Sequence, residues 1–258
     1  MKKDIFDQII EHLNELRIES KTAYIPQETA NEFFADIKPA PIPVKNRETA
    51  PAPAVKPTVQ SSFPAPSFNS PLTQMNLDEL NAEAQKCRKC PLCETRTTVV
   101  FGEGSPNADL MFIGEGPGYD EDQQGRPFVG KAGELLTKMI NAMQFTRREV
   151  YIGNIVKCRP PKNRNPFPEE ADACLPYLKR QIELIKPKAI VILGAVPLKF
   201  LLNKNGIMRL RGKWDSYDGI KVMPTFHPAY LLRNPGAKRE VWEDLQQVMK
   251  IFGKVHKK

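Results

Sequence analysis

Short apolar segments of strand length alternate with segments of helical periodicity from residue 109 to residue 252. The sequence predicts strands near 109–115, 150–156, 189–193 and 220–225, and helices at 132–143, 168–185, 195–202 and 239–252. Strands that alternate with helices favour a parallel sheet covered on both sides. We therefore expect an α/β fold with a central, mostly parallel sheet flanked by helices on both faces.

The first of these strands runs directly into a loop rich in glycine and acidic residues, GEGPGYDEDQQGRPFVG, at 114–130. Ligands of open α/β sheets bind beyond the carboxyl ends of the strands. The glycines let main-chain N–H groups approach a ligand, the carboxylates can orient a water, and Phe128 adds an aromatic face. The loop therefore favours a flat heterocycle, with a plain solvent-exposed turn as the alternative. It is not a phosphate-binding loop, because Ala132 follows Gly130 and Lys131.

Two polar side chains follow other predicted strands. Asn154 ends its strand, and its carboxamide offers a donor and an acceptor together, as the edge of a pyrimidine requires. His227 precedes a proline at the rim of the sheet, where its ring can donate to an oxygen that becomes anionic in a transition state. The alternatives are a main-chain cap for Asn154 and a structural histidine for His227.

Composition divides the chain into three parts. Residues 1–36 hold a predicted amphipathic helix at 5–18, which docks on the domain or on a protein partner, or is only marginally helical. Residues 37–75 are rich in proline, alanine and serine and predict a linker. We expect the folded domain to span residues 76–258 and the N-terminal extension to be disordered.

The charge favours nucleic acid as the partner. The net charge is +8 and the pI is about 9.2, which biases the chain toward a polyanion. No apolar segment approaches the roughly 20 residues of a membrane-spanning helix, and the N-terminus does not resemble a signal peptide. We expect a cytoplasmic monomer that has no membrane contact.

The five cysteines predict an intracellular metal site rather than a disulfide framework, because their number is odd. Cys87 and Cys90 have the spacing that lets two thiolates reach one metal, and Cys158 and Cys174 can fold back onto that pair. Four thiolates fit zinc or a [4Fe–4S] cluster equally well, and the spacing does not decide between them. Cys93 is the most plausible free cysteine. Basic residues around these positions are either a phosphate-binding surface or a solvated face.

These motifs together resemble the family 4 uracil-DNA glycosylases, the iron–sulfur branch of the uracil-DNA glycosylase superfamily. The resemblance covers residues 76–252 and is carried in order by CRKCPLC, RTTVVFGEG, GEGPGYDEDQQGRPFVGKAG, YIGNIVKCRPP and HPAYLLRNP. The chain departs from the family at Tyr119, where an acidic residue is often found. It has GEGPG rather than the GEQPG of the branch that traps DNA covalently, and lacks the inserted basic loop of that branch.

The resemblance implies a fold, an activity and a set of site residues. The activity is removal of uracil from DNA by base flipping, as the first step of base excision repair. The implied cofactor is a structural [4Fe–4S] cluster on Cys87, Cys90, Cys158 and Cys174. The implied uracil-binding residues are Glu115, Gly116, Phe128, Asn154 and His227.

Within this pocket the resemblance gives His227 and a carboxylate the catalytic roles. Glu115 is the first choice for orienting the water and Glu121 the second, although Glu121 can instead exclude the methyl group of thymine. The implied contacts to uracil-containing DNA are Arg164, Tyr230, Leu231, Leu232 and Arg233, with either leucine as the wedge that fills the gap left by the flipped base.

Three other functions stay open at this point. A broader deaminated-base glycosylase predicts excision of hypoxanthine or xanthine. A non-catalytic DNA-binding module braced by a metal predicts binding without excision. A redox sensor predicts that the charge of a cluster changes on DNA.

Overall fold

The protein is described by a computed structural model that covers residues 71–254. The predicted N-terminal helix at 5–18 and most of the predicted linker lie outside these residues. The helices are α1 (Leu77–Gln85), α2 (Leu92–Thr95), α3 (Tyr119–Gln124), α4 (Lys131–Ala142), α5 (Pro168–Ile185), α6 (Ala195–Leu202), α7 (Ile207–Leu210), α8 (Pro228–Arg233) and α9 (Lys238–Ile251). The strands are β1 (Glu103–Gly104), β2 (Leu110–Gly114), β3 (Tyr151–Asn154), β4 (Ala189–Leu193), β5 (Asp215–Tyr217) and β6 (Ile220–Thr225).

The six strands form one mixed sheet in the order β1-β3-β2-β4-β6-β5. The four central strands are parallel, and the short edge strands β1 and β5 pair antiparallel with β3 and β6. The prediction of a mostly parallel sheet is confirmed, while both edge strands were missed. The chain leaves β2 toward β3 on one side and later enters β4 on the other. A crevice at this kind of switch point is where open α/β sheets bind ligands.

Two apolar cores cover the two faces of the sheet. Met111 and Ile113 of β2 belong to the core that includes α1, α5 and α6, whereas Leu110 and Phe112 belong to the core that includes α4 and α9. This alternation is the period of two of a strand. Because both faces of the sheet are covered, polar chemistry is confined to the ends of the strands.

The acidic stretch after β2 forms the short helix α3, where the sequence suggested a loop. The Glu121 carboxylate accepts a hydrogen bond from the Gly118 main-chain N–H at 3.0 Å, which closes the first turn. A side chain that satisfies an N-terminal N–H group in this way stabilises a helix start. The acidic residues are therefore held on a fixed element beside the crevice.

Candidate active site

The floor of the site is built where β2 and β3 end side by side. Gly114 and Asn154 are register partners on these parallel strands. A Cβ atom on Gly114 would lie 2.5 Å from Asn154 Oδ1 and 2.5 Å from Phe128 Cζ, so only glycine fits there. The Asn154 side chain is buried, and its Oδ1 accepts no hydrogen bond. A buried acceptor without a partner costs about 1–3 kcal/mol, so this oxygen is a candidate ligand-binding atom.

Phe128 lies over this floor in an unusual main-chain conformation. Its φ is 53°, in the left-handed region that aromatic residues rarely occupy. Arg147 holds the segment, because its guanidinium donates to the Pro127 carbonyl at 2.8 Å and to the Phe128 carbonyl at 3.1 Å. The Phe128 ring centroid lies 5.6 Å from that of His227. The strained phenylalanine therefore joins the loop after β2 to the loop after β6.

His227 is fixed as a neutral donor. Its Nδ1 accepts a hydrogen bond from the Ala229 main-chain N–H at 3.1 Å, as the residue that caps α8. Burial, together with the nearby positive charge of Arg233, lowers the pKa of His227 to about 4. The proton of the neutral ring is then on Nε2. At neutral pH this atom can donate a hydrogen bond without carrying a formal charge.

The two carboxylates proposed for catalysis differ in their surroundings. Burial raises the pKa of Glu115 to about 7. Glu121 instead accepts main-chain N–H groups from Gly118, Val129 and Gly130, at 3.0, 2.9 and 3.0 Å. Both oxygens of Glu121 are therefore occupied in bracing the loop. The geometry favours Glu115 over Glu121 for orienting a water.

A buried polar network lies behind Asn154. The Lys157 ammonium donates to the Asn154 main-chain carbonyl at 3.0 Å and to Gln181 Oε1 at 2.6 Å. The Gln181 amide group donates in turn to the Phe101 carbonyl and the Tyr151 hydroxyl. Burial lowers the pKa of Lys157 to about 8. The network fixes the end of β3 from the side opposite the site.

The structure separates the two leucines proposed as the wedge. Leu231 has 0% of its surface exposed and packs in the core that includes α4 and α9, whereas Leu232 is 46% exposed. Of the two candidates for the wedge, only Leu232 is therefore at the surface, because one step along α8 turns a side chain by about 100°. Tyr230 packs on Phe226 with a centroid distance of 4.8 Å. Arg233 is exposed.

Arg164, another proposed DNA contact, is engaged within the protein. Its guanidinium makes a two-pronged ion pair with Glu170, at 2.7 and 2.8 Å, and stacks on the ring of Phe167. Glu170 also accepts the Phe167 main-chain N–H, so this group closes the start of α5. A phosphate contact by Arg164 would have to be made in addition to this ion pair.

All five cysteines line one cavity, although they come from distant parts of the chain. Cys158 and Cys174 are buried and the other three are partly buried. Arg96 donates to Cys158 Sγ at 3.2 Å and the Lys157 main-chain N–H donates to Cys174 Sγ at 3.2 Å. The predicted convergence of the two pairs is confirmed, and Cys93 lies with them.

The thiols at this cavity are the donor chemistry that a zinc ion or an iron–sulfur cluster requires. In the described part of the chain, no group of three or more His, Cys, Asp or Glu side chains is arranged to hold a single metal ion. The buried Tyr177 side chain also lines this cavity, where its hydroxyl lies near the sulfur of Cys87.

Sequence reasoning missed the residues that support the site. Arg147, Lys157 and Gln181 were not singled out, and Arg96 was not connected to the cysteines. The available signal was weak, since it consisted only of a charged residue at a predicted strand end and a glutamine on the apolar side of a predicted helix. Among residues 71–254, no helix is both long enough and apolar enough to cross a membrane.

Comparison with known proteins identifies the family of this chain. The family model described as the uracil DNA glycosylase superfamily matches residues 101–246. A type-4 uracil-DNA glycosylase of Thermotoga maritima is 48% identical over 188 residues, which span 70% of this chain and 98% of the relative. Those of Sulfurisphaera tokodaii and Saccharolobus solfataricus are 45% and 46% identical, over 68% and 67% of this chain and 84% and 85% of the relative. The chain therefore belongs to the uracil-DNA glycosylase superfamily and, within it, to the type-4 uracil-DNA glycosylases.

Proposed function

We propose that this protein hydrolyses the N-glycosidic bond of deoxyuridine in DNA, releases uracil, and leaves an abasic site for base excision repair. The observation that carries the proposal is the buried Asn154 Oδ1, which has no partner and which lies, like the edge of the Phe128 ring, against Gly114. The names of the similar proteins support the same class of reaction. The arrangement of the pocket supports the following role for each residue.

Recognition of the base uses the edge that distinguishes uracil from cytosine. Asn154 Oδ1 accepts the N3–H of uracil, and the amide nitrogen donates to O4. Cytosine presents an unprotonated N3 and an amino group at these positions, which reverses both hydrogen bonds. A site built around buried hydrogen bonds discriminates strongly against a ligand that leaves them unpaired. Phe128 stacks on the base, and the closed pocket resists the larger purines hypoxanthine and xanthine.

Bond cleavage moves negative charge onto the base. The bond between C1′ and N1 breaks, its electron pair goes to uracil, and the sugar acquires oxocarbenium character. The Nε2–H of His227 and the main chain near Gly116 stabilise the charge that develops on O2. One well-placed donor of this kind contributes roughly 3 kcal/mol to transition-state stabilisation. A neutral histidine suits this task, because it remains a donor and does not have to lose a charge.

Glu115 orients the attacking water and accepts its proton. Its ionised carboxylate orients a water toward C1′, stabilises the sugar cation, and accepts a proton as the new C–O bond forms. The proton then passes to solvent or to the departing uracil anion. Burial raises the pKa of Glu115 to about 7, which gives it a basicity matched to proton transfer near neutral pH.

DNA is held by positive charge and opened at one base. The net charge of +8 favours the phosphate backbone. The exposed residues Leu232 and Arg233 follow His227 on α8, where a wedge and a phosphate contact would stand beside the pocket. Base flipping costs a few kcal/mol of unstacking and unpairing, and the wedge offsets part of that cost.

The cysteine cavity would hold a [4Fe–4S] cluster on Cys87, Cys90, Cys158 and Cys174. When bound, the cluster supplies a structural brace between the N-terminal part of the domain and the loop after β3. Asn154 and Cys158 are only four residues apart, so the brace also fixes the base-reading residue. Arg96 and the main chain of Lys157 supply hydrogen bonds to the sulfurs.

The test is anaerobic purification with an absorbance spectrum, followed by incubation with oligonucleotides that carry one uracil, thymine or hypoxanthine. We expect a brown protein that absorbs near ~400 nm, from thiolate-to-iron charge transfer, and that excises uracil alone without magnesium. A protein that binds the DNA but leaves uracil in place would show a binding module. Excision of hypoxanthine would show a broader glycosylase, and a colourless zinc protein would contradict the cluster.

A further inference from the structure

An exposed aromatic residue with a cation beneath it lies next to the candidate active site. Tyr119 begins α3 and is 57% exposed. The guanidinium of Arg159 lies 5.0 Å from the centroid of its ring. Arg159 is held by a hydrogen bond from its Nε to Asn163 Oδ1 at 2.8 Å. One face of the tyrosine therefore contacts a fixed cation, and much of the side chain is open to solvent.

The pair is positioned by the same two loops that build the pocket. Tyr119 stands four residues after Glu115, and Arg159 stands five residues after Asn154. The loops touch at Gly116, where an added Cβ would lie 2.6 Å from Val156 Cγ2 and 3.8 Å from the Pro160 ring. The pair therefore lies at the rim of the site, at the carboxyl ends of β2 and β3.

The first turn of α3 has little freedom to move. Glu121 closes this turn by accepting the Gly118 main-chain N–H, and ties it to the Phe128 loop by accepting those of Val129 and Gly130. In the same turn, Asp122 is buried and accepts the main-chain N–H groups of Thr97 and Thr98. Tyr119 is thus an exposed ring on a rigid support, which lowers the entropy lost when it binds a ligand.

We propose that the Tyr119–Arg159 pair is a stacking platform for a nucleobase next to the uridine in single-stranded DNA. Aromatic side chains bind the faces of unpaired bases with little sequence preference, and an arginine nearby adds cation–π and phosphate attraction. The net charge of +8 complements a DNA strand. In a duplex the neighbouring bases remain stacked on each other and are not available to the ring. The proposal rests on the proposed function and specifies the form of DNA that the site favours.

The experiment measures the affinity of Tyr119→Ala for two substrates. Both carry 2′-fluoro-deoxyuridine, which resists hydrolysis, either in a single strand or in a duplex opposite adenine. We expect the Kd for the single strand to rise about five- to tenfold, the lower part of the range for one stacked base. The Kd for the duplex stays within about twofold. Tyr119→Phe keeps the ring and retains the wild-type affinity for both.

A matched control tests a second exposed aromatic residue. Trp214 is 38% exposed and precedes the edge strand β5, at the opposite edge of the sheet from β1 and two strands beyond β4. Trp214→Ala should leave both affinities unchanged. A 2-aminopurine base placed on either side of the uridine should change its fluorescence on binding to wild type and to Tyr119→Phe, but not to Tyr119→Ala.

Three results would overturn the proposal. The first is an equal loss of affinity of Tyr119→Ala for the single strand and the duplex. The second is no loss of affinity for either, and the third is a lower turnover rate of bound substrate with an unchanged Kd. Excision of uracil by the wild-type protein is measured separately. A wild type that does not excise uracil would refute the proposed function, while the dependence of single-strand binding on Tyr119 would still be decided.

Discussion

Two buried carboxamides lie close together in this domain and are used in opposite ways. Gln181 has a partner for each end of its amide, namely Lys157 for the oxygen and Phe101 and Tyr151 for the nitrogen. The Asn154 oxygen has none, although the main chain of the same residue is held by Lys157. The difference identifies the task of each residue. An amide with all its hydrogen bonds stabilises the fold. An amide with an unpaired oxygen lowers stability until a bound ligand supplies the missing hydrogen bond.

The largest expected effect comes from removing the unsatisfied amide. Asn154→Ala should lower kcat/KM for uracil excision about 10³-fold, since the base loses the hydrogen bonds that a buried polar site uses for selection. The thermal unfolding midpoint should stay within a few degrees or rise, because Asn154 Oδ1 stabilises nothing in the free protein. Steady-state kinetics and a melting curve on the same preparation test the expected loss of activity and the expected stability. An active variant, or one that is strongly destabilised, would contradict the distinction.

Substitution of Gln181, whose amide is fully hydrogen-bonded, should lower stability and leave activity almost unchanged. Gln181→Met leaves the buried Lys157 ammonium with one hydrogen bond fewer, which should lower the free energy of unfolding by about 2–3 kcal/mol. Activity per folded molecule should stay within about threefold. The double variant Lys157→Met/Gln181→Met removes both partners and should recover part of the stability, as replacement of a whole buried pair by apolar residues often does. Urea unfolding of the three proteins tests this. A double variant less stable than Gln181→Met would refute the account.

The sequence predicted the site residue Asn154, but it did not predict the buried hydrogen-bond network of Gln181. Asn154, Glu115 and His227 each lie at or just after the end of a strand, and the carboxyl ends of parallel strands meet at one edge of a sheet. Gln181 reaches Phe101 across 80 residues and Lys157 across 24. Such contacts depend on how α5 packs against the sheet, which no local pattern records.

The other misses have local causes. The edge strands β1 and β5 are two and three residues long and are not apolar, so they carry no strand pattern. The acidic stretch after Gly118 reads as a loop by composition, yet Glu121 caps it into a helix. Leu231 and Leu232 are identical in sequence terms, and only the rotation of α8 separates them. The central strands, the long helices and the convergence of the cysteines were predicted, because each depends on periodicity or strand order.

The pH dependence of activity should report the buried carboxylate of the pocket. The pKa of Glu115 is about 7 because burial disfavours its charged form. If Glu115 must be ionised to act, kcat/KM should fall about tenfold for each pH unit below 7 and level off above it. His227, with a pKa of about 4, stays neutral and adds no second change between pH 5 and 9. A flat profile across pH 5–8 would remove Glu115 from the reaction.

The same carboxylate should make stability depend on pH in a stated direction. The folded state holds the Glu115 proton up to a pKa of about 7, above its ordinary value of 4.5. Between these values the folded state binds more protons than the unfolded state, so this group lowers stability as pH rises. Glu115→Gln should remove that contribution, and unfolding curves of both proteins at pH 5 and pH 8 provide the comparison.

The smallest effect should come from the exposed leucine of α8, and it depends on the form of the DNA. Leu232→Ala should lower kcat/KM about fivefold on a duplex with uracil opposite adenine, because the gap left by the flipped base is no longer filled. On a single strand no gap forms, and the loss should stay below twofold. This is the opposite preference to that of Tyr119.

Leu231→Ala provides the contrast, since truncating a fully buried leucine should destabilise the domain by about 2–5 kcal/mol and affect both substrates alike. Equal losses on duplex and single strand for Leu232→Ala would mean that α8 contacts the backbone rather than the base stack.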